Sequence, residues 1–356
     1  MTTGSKPQPN ATSTGSSLFR VAIVGGTTLK GKEVIEALDE RKFPSLDVKL
    51  LDDDESLGQL EALGDEMTFI QRVRAEQFER IDFTFFASDP RTTKESWALA
   101  QQAGSAIVDA SYALEDDAAA RVRSPWVERQ RGQDLQLELQ PGPAVIAHPI
   151  AVIVALLVLR AGKAGEIKRV VATAFEPVSE QGQKGVDELH EQTINLLSFQ
   201  EIPQSVFATQ VAFNLVKRYG EEAVASIETV ERRIAKHYQR IAGKGAPVPA
   251  LTVMQAPIFH GHAVALYLET AEPVALGDMT QAVQGEHVEI ARTADDSPTN
   301  VRAAGQADIL VSIARDANQE KGFWIWATAD NLRVAARNAV ECAESLAASR
   351  PRGKVQ

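Results

Sequence analysis

The stretch Leu18–Gly31, LFRVAIVGGTTLKG, decides the fold. Val21, Ile23 and Val24 are β-branched and apolar, and Gly25-Gly26 interrupts them. Apolar residues at helical spacing follow at Leu29, Val34, Ile35 and Leu38. A strand, a glycine turn and a helix N-terminus in that order present unpaired backbone N–H groups and the positive end of a helix dipole, the layout that receives a pyrophosphate. Thr28 stands between Gly25 and Gly31, where a dinucleotide fingerprint favours a third glycine. The alternative is a tight βα turn that holds no ligand. On the first reading Gly25, Gly26, Thr27, Thr28, Leu29 and Gly31 form the phosphate side of a dinucleotide site.

A chain of 356 residues suits two domains better than one core. A net charge of −11 argues against nucleic acid and anionic membrane as partners, and no basic run interleaved with aromatics opposes that. The single cysteine, Cys342, excludes an internal disulfide and a cysteine-rich metal site. Residues 1–17 are polar without the apolar core of a secretory signal and read as a disordered lead-in; residues 350–356 read as a loose tail. Ile150–Leu159 is too short to span a bilayer and reads as a buried helix. A cytoplasmic soluble protein is expected.

After the first βα unit, Asp47–Leu51 reads as a second strand ending in four acids, Asp52-Asp53-Asp54-Glu55. Ile81–Ala87 is a third strand, leading into Ser88-Asp89-Pro90 and a helix from Thr93 to Ala103; Ala106–Asp109 and Val145–Ala147 are further strands. Alternation of this kind predicts a doubly wound parallel sheet over 18–149. The second half, 150–328, has longer alternating strands at Lys168–Phe175, Ala250–Ile258 and Val264–Glu269, with helices at Gly182–Leu197 and Glu221–Ile241. This predicts an α+β domain whose sheet has one face free for a partner. A final helix, 329–348, carries Leu332, Ala335, Ala339, Cys342 and Leu346 on one face and is expected to pack back on the first domain.

Four motifs in order then carry a resemblance: SEQGQKGVDEL (Ser179–Leu189), VAFNL (Val211–Leu215), APIFHGHAVALYLE (Ala256–Glu269) and FWIWATADNLRVAARNAVECAE (Phe323–Glu344). Over Phe19–Leu346 the chain resembles the aspartate-semialdehyde dehydrogenase family. The resemblance implies a Rossmann-type domain followed by an α+β dimerisation domain, a homodimer, and amino-acid biosynthetic chemistry in which NADPH reduces an acyl phosphate through a cysteine thioester. His262 falls on the family's acid/base histidine.

Other positions depart from that pattern. The resemblance places the thiol at Ala151, between Ile150 and Val152, and a positioning glutamine at Ala155. A methyl group cannot attack a carbonyl carbon. Cys342, on the apolar stripe of the last helix, reads as a small hydrophobe rather than a substitute. The arginine expected to clamp the substrate carboxylate is replaced by Gln255, which cannot form a bidentate charged pair. The arginine expected for phosphate falls on Glu115, and no arginine lies between Arg91 and Arg121. Glu231 and Arg233 are expected at the cleft.

Asp52, heading the acidic cluster, suits a ribose 2′-OH and opposes a 2′-phosphate, so NAD(H) is expected over NADP(H) if any dinucleotide binds; Ser88 is also expected among the cofactor-binding residues, and Lys30 and Lys32 could offset phosphate charge. A solvated acidic loop is the alternative for the charge run. His260 and His262 are expected on one strand face, with no third metal ligand evident, so no metal is expected; His148, His190, His237 and His287 carry no functional argument. The expected function is a member that lost the thioester chemistry and serves as a dinucleotide- or metabolite-binding or dimer-partner protein. The alternative is an NAD(P)-dependent oxidoreductase acting on an aldehyde or acyl group, with His262 as acid/base.

Overall fold

Continuous burial of the first strand between two hydrophobic clusters builds the first layer. The computed structural model describes residues 18–52, 58, 60–63, 66–132, 142–293 and 295–349. The expected lead-in, most of the acidic cluster and the tail lie outside these residues. In β1 (Phe19–Val24), Val21 and Ile23 join one hydrophobic cluster while Ala22 and Val24 join another, as a period of two requires of a strand covered on both faces. Helix α1 (Leu29–Glu40) turns Val34, Ile35 and Leu38 onto the first cluster.

The chain continues through β2 (Ser45–Asp52), a separate hairpin of β3 (Leu60–Leu63) and β4 (Glu66–Phe69), β5 (Gln71–Arg72), β6 (Phe83–Phe86), α2 (Pro90–Gln102), β7 (Ala106–Asp109), β8 (Arg121–Arg123), α3 (Pro125–Gln130) and β9 (Ala144–Ile146). The sheet order is β5-β2-β1-β6-β7-β9-β8, and every neighbouring pair is parallel. The chain leaves β1 towards β2 and returns across it to β6. The carboxyl ends of β1 and β6 therefore form the switch point where such sheets bind ligands.

The second layer begins with α4 (Pro149–Ala161), in which every residue except Leu159 is buried. There follow β10 (Ile167–Glu176), α5 (Gly182–Leu197), α6 (Ile227–Ala242), β11 (Ala250–Gln255), β12 (His262–Thr270), α7 (Leu276–Val283), β13 (Val288–Ile290), α8 (Asn300–Ala303), β14 (Ile309–Arg315), β15 (Gly322–Ala329) and α9 (Asn331–Ser349). Six strands form a mixed sheet in the order β11-β10-β12-β15-β14-β13. Helix α9 returns to the first sheet, where Ala339, Cys342 and Leu346 join the cluster that holds Val21 and Val34.

Three boundaries move for local reasons. Helix α6 starts at Ile227 instead of Glu221 because the Ser226 side chain caps it, accepting from Thr229 N at 3.2 Å. Strand β11 stops at Gln255, ahead of Pro257. Helix α9 begins after Asp330, whose Oδ1 accepts from the N–H groups of Leu332 and Arg333 at 3.0 and 3.1 Å.

Candidate functional site

At the switch point the glycine loop is dictated by space. Gly25 has φ +87°, and a Cβ there would lie 2.5 Å from Ser88 N; a Cβ at Gly31 would lie 2.0 Å from Gly25 O. Thr28, at the position expected to favour glycine, earns its place as the N-cap of α1, its Oγ1 accepting from Gly31 N at 2.9 Å. The Asp52 carboxylate accepts from Thr27 N at 3.1 Å and from the Thr27 hydroxyl, so the end of β2 is tied to the loop. Lys30, expected to offset phosphate charge, instead points across the cleft, with Nζ 3.4 Å from Glu180 Oε2.

Lys30 thereby reaches a buried polar cluster. Glu176 ends β10, Glu180 follows it, His262 opens β12 and His148 is the N-cap of α4. His262 Nε2 is 3.0 Å from Glu176 Oε2 and 3.9 Å from Glu180 Oε1, and His148 Nε2 is 3.4 Å from Glu176 Oε1. Asn331 Nδ2 donates to Glu180 Oε1 at 2.8 Å, and Asn331 Oδ1 accepts from Gly261 N at 2.9 Å, fixing the turn before His262. Burial works to discharge His262, but the Glu176 carboxylate and its hydrogen bond outweigh it and raise its pKa above the ordinary imidazole value. Burial, reinforced by His262, Lys30 and Arg233, holds His148 well below that value. Burial opposes ionisation of Glu180, yet Lys30, the two histidines and Asn331 keep its carboxyl below the usual range.

A second group adjoins the first through His148, whose backbone N–H donates to His237 Nδ1 at 3.0 Å. His237 Nε2 lies 3.0 Å from Glu115 Oε2, and Arg233 Nε donates to Glu115 Oε1 at 3.0 Å. Tyr112, at φ +64°, is wedged between Lys30 and Arg233, which stand 4.6 and 4.8 Å from its ring centroid. That backbone is held by buried Asp109, which accepts from Ser111 N at 2.7 Å and Leu114 N at 2.9 Å.

The expected site residues are thus only partly gathered. Ala151 lies in the first turn of α4 with no exposure, in the hydrocarbon cluster with Ile150 and Val152. Ala155, one turn further, is equally buried; the polar group that faces His262 is Glu176. Gln255 has both Nε2 hydrogens committed, to the carbonyls of Glu176 and Ala256 at 2.8 Å each, and its Oε1 accepts from Tyr219 at 2.6 Å. Cys342 is fully buried on the inner face of α9, and burial pushes its thiol up to about 11.

Several expectations need correction. Glu115 is not a bare carboxylate: Arg233, far along the chain, neutralises it. Arg233 lines the cleft as expected, whereas Glu231 turns away to Lys217 and Val253 N. His260 and His262 do not share a strand face, because Gly261 at φ +87° breaks the chain between them and β12 starts at His262. The sequence shows no third metal ligand for the pair His260 and His262, yet in the fold His148, Glu176 and Glu180 gather around His262, without His260. Sequence reading passed over His148 and His237 because nothing local marks a cap or a helix face as belonging to a cleft.

Burial opposes the Glu115 charge, but the His237 hydrogen bond and the Arg233 charge outweigh it and hold the carboxyl down to about 2. A carboxyl depressed on folding stabilises the native state above its unfolded value and loses that contribution as pH falls through the folded one. Glu115→Gln is therefore expected to cost about 1.5–3 kcal/mol at pH 7. The difference from wild type, followed by urea unfolding, closes as pH falls from about 4.5 towards 2.

Residues 20–146 match the NAD-binding domain of semialdehyde dehydrogenase, and residues 158–334 match its dimerisation domain. The chain belongs to the semialdehyde dehydrogenase family. An aspartate-semialdehyde dehydrogenase of Rickettsia bellii is 30% identical, covering 92% of this chain and 97% of its own. A USG-1 protein homolog of Pseudomonas aeruginosa is 31% identical over 92% and 97%. The crystal structure of aspartate semialdehyde dehydrogenase II of Vibrio cholerae, complexed with ASA, superposes with TM-score 0.82 at 26% identity, covering 93% of this chain and 98% of that one. In this semialdehyde dehydrogenase family member the two matched domains meet at the cluster around His262: Lys30 and Tyr112 come from the first, and Glu176, Glu180, Arg233 and His262 from the second. His148 lies in the stretch between the two matches.

Proposed function

We propose that this family member has lost thioester chemistry and works as a dinucleotide- or metabolite-binding dimer. The observation that carries the proposal is Ala151, a buried methyl where the resemblance expects the thiol. Gln255 supports it, because its amide hydrogens are already spent on backbone carbonyls and none is left for a substrate carboxylate. Glu115 supports it, because a carboxylate paired with Arg233 stands where the resemblance expects a phosphate-binding arginine. Phosphate-dependent oxidation of aspartate semialdehyde by the purified chain is the test. Turnover above that of the His262→Ala variant overturns the proposal.

NAD(H) is the proposed dinucleotide. Asp52 sits at the carboxyl end of β2, beside the loop, where a carboxylate accepts a ribose 2′-OH and repels a 2′-phosphate. Calorimetric titration is expected to show NAD(H) binding at least about tenfold more tightly than NADP(H), a margin of roughly 1.4 kcal/mol. Tighter NADP(H) refutes the assignment.

A homodimer through the second sheet is also proposed. Trp324 and Val171, 47% and 37% exposed, lie on the sheet face turned away from the helices, and the Tyr267 ring packs tilted against Trp324 with centroids 5.0 Å apart. Outside the sheet, Phe199 and Phe213 are 98% and 66% exposed. Apolar surface of this kind is characteristic of a protein contact. Light scattering at micromolar concentration is expected to give twice the chain mass; a monomer refutes it.

A second reading is favoured by the His262–Glu176 pair. A basic imidazole beside a carboxylate suits proton transfer at a carbonyl, so direct hydride exchange between NAD(P) and an aldehyde or acyl group would need no thiol.

A further inference from the structure

Each of His148, Glu176, Glu180 and His262 offers one nitrogen or oxygen ligand atom, and these atoms all lie within 4.8 Å of one another. The separations from His262 Nε2 to Glu176 and Glu180 are 3.0 and 3.9 Å, and His148 Nε2 is 3.4 Å from Glu176. A tetrahedral ion with bonds near 2.1 Å holds its ligands about 3.4 Å apart, so the spacing already approximates a coordination shell.

A second observation points to a ligand. Glu176 is 3% exposed, yet its Oε1 makes no well-formed hydrogen bond among the described residues, with His148 Nε2 held off at 3.4 Å. Such an acceptor is costly to leave unmet. We propose that His148, Glu176, Glu180 and His262 bind a divalent first-row transition metal ion, with zinc as the reference ion.

The donor set selects the class. Two imidazoles and two carboxylates suit zinc or ferrous iron; calcium and magnesium take oxygen ligands, and no thiol is present to favour cuprous ion. The two carboxylates balance a divalent charge. Asn331 Nδ2, donating to Glu180 Oε1 at 2.8 Å, supplies the outer hydrogen bond that orients a ligand carboxylate.

The ligands are unequal. His148 Nδ1 accepts from Ile150 N at 3.3 Å, which places the neutral ring's proton on Nε2. Metal binding moves that proton to Nδ1 and gives up the contact. His262 Nδ1 has no partner among the described residues, so it can carry the ring proton while Nε2 exchanges its hydrogen bond to Glu176 for a shared ion. His262 is therefore the stronger histidine ligand and His148 the weaker. Lys30, 3.4 Å from Glu180, competes with the ion.

The test uses the full chain, stripped with chelator, titrated with cobalt for visible absorption and, separately, loaded with zinc and analysed after dialysis. One ion per chain and intense four-coordinate cobalt bands are expected. His262→Ala and Glu176→Gln weaken binding at least about 100-fold and His148→Ala about tenfold, in the range that ligand and supporting residues command. Lys30→Met tightens it, a gain that misfolding cannot produce. His287→Ala, at a separate site beside Glu286, leaves it unchanged. Fewer than one zinc per ten chains, or zinc retained in both His262→Ala and Glu176→Gln, overturns the proposal. The readout is metal content, so its failure leaves the reading of Ala151 standing or falling on turnover alone.

Discussion

Ala151→Cys is expected to oxidise aspartate semialdehyde at least about 1,000-fold more slowly than a family member with the complete catalytic set, and the wild type more slowly still. On the proposed reading, a thiol at position 151 supplies only one part of a unit whose parts act together. Position 151 is favourable for a thiolate in one respect, because it lies in the first turn of α4, where the helix dipole lowers a thiol pKa. Two anion contacts remain missing. A bidentate arginine–carboxylate pair contributes roughly 2 kcal/mol, and Gln255 cannot form one with its amide held by the carbonyls of Glu176 and Ala256. A similar loss follows at Glu115, where Arg233 is already paired. Together about 4 kcal/mol correspond to roughly 1,000-fold in rate. A single variant within tenfold of such a relative would show that neither contact matters.

The parts of this molecule that could be read in the sequence are those governed by local periodicity. Val21, Ile23 and the glycine turn announce the parallel sheet, and the stripe through Leu332, Ala339 and Cys342 announces the helix that closes it. The buried run from Ile150 was legible for the same reason. Of the four clustered side chains His148, Glu176, Glu180 and His262, only His262 was legible, through a motif. The groups around it come from a helix cap, a strand end and the helix Ile227–Ala242, and each looks locally like ordinary polarity. Glu115 illustrates the difficulty, since its meaning reverses once folding brings Arg233 to it. Thr28 is the converse case: it departs from the glycine pattern, yet its hydroxyl meets the requirement for a cap that a glycine would leave unfilled.

Gly31→Ala is expected to destabilise the protein by about 2–4 kcal/mol and to weaken dinucleotide binding at least about tenfold. The added Cβ would stand 2.0 Å from the carbonyl oxygen of Gly25, a backbone atom that no side-chain rotation can move aside. Relief requires α1 to lift from the turn after β1, stretching the 2.9 Å cap between Gly31 N and Thr28 Oγ1 and unseating Val34 and Ile35 from Val21 and Ile23. Alanine's helix preference over glycine returns only about 1 kcal/mol of this. Gly104→Ala separates crowding from backbone preference, because Gly104 has φ +91° with nothing within 4 Å of its Cβ position. That variant is expected to cost about 1–2 kcal/mol through its left-handed backbone alone, and to leave cofactor titrations unchanged. If Gly31→Ala is no less stable than Gly104→Ala and binds dinucleotide equally well, the close approach of α1 to the β1 turn is not what shapes the phosphate site.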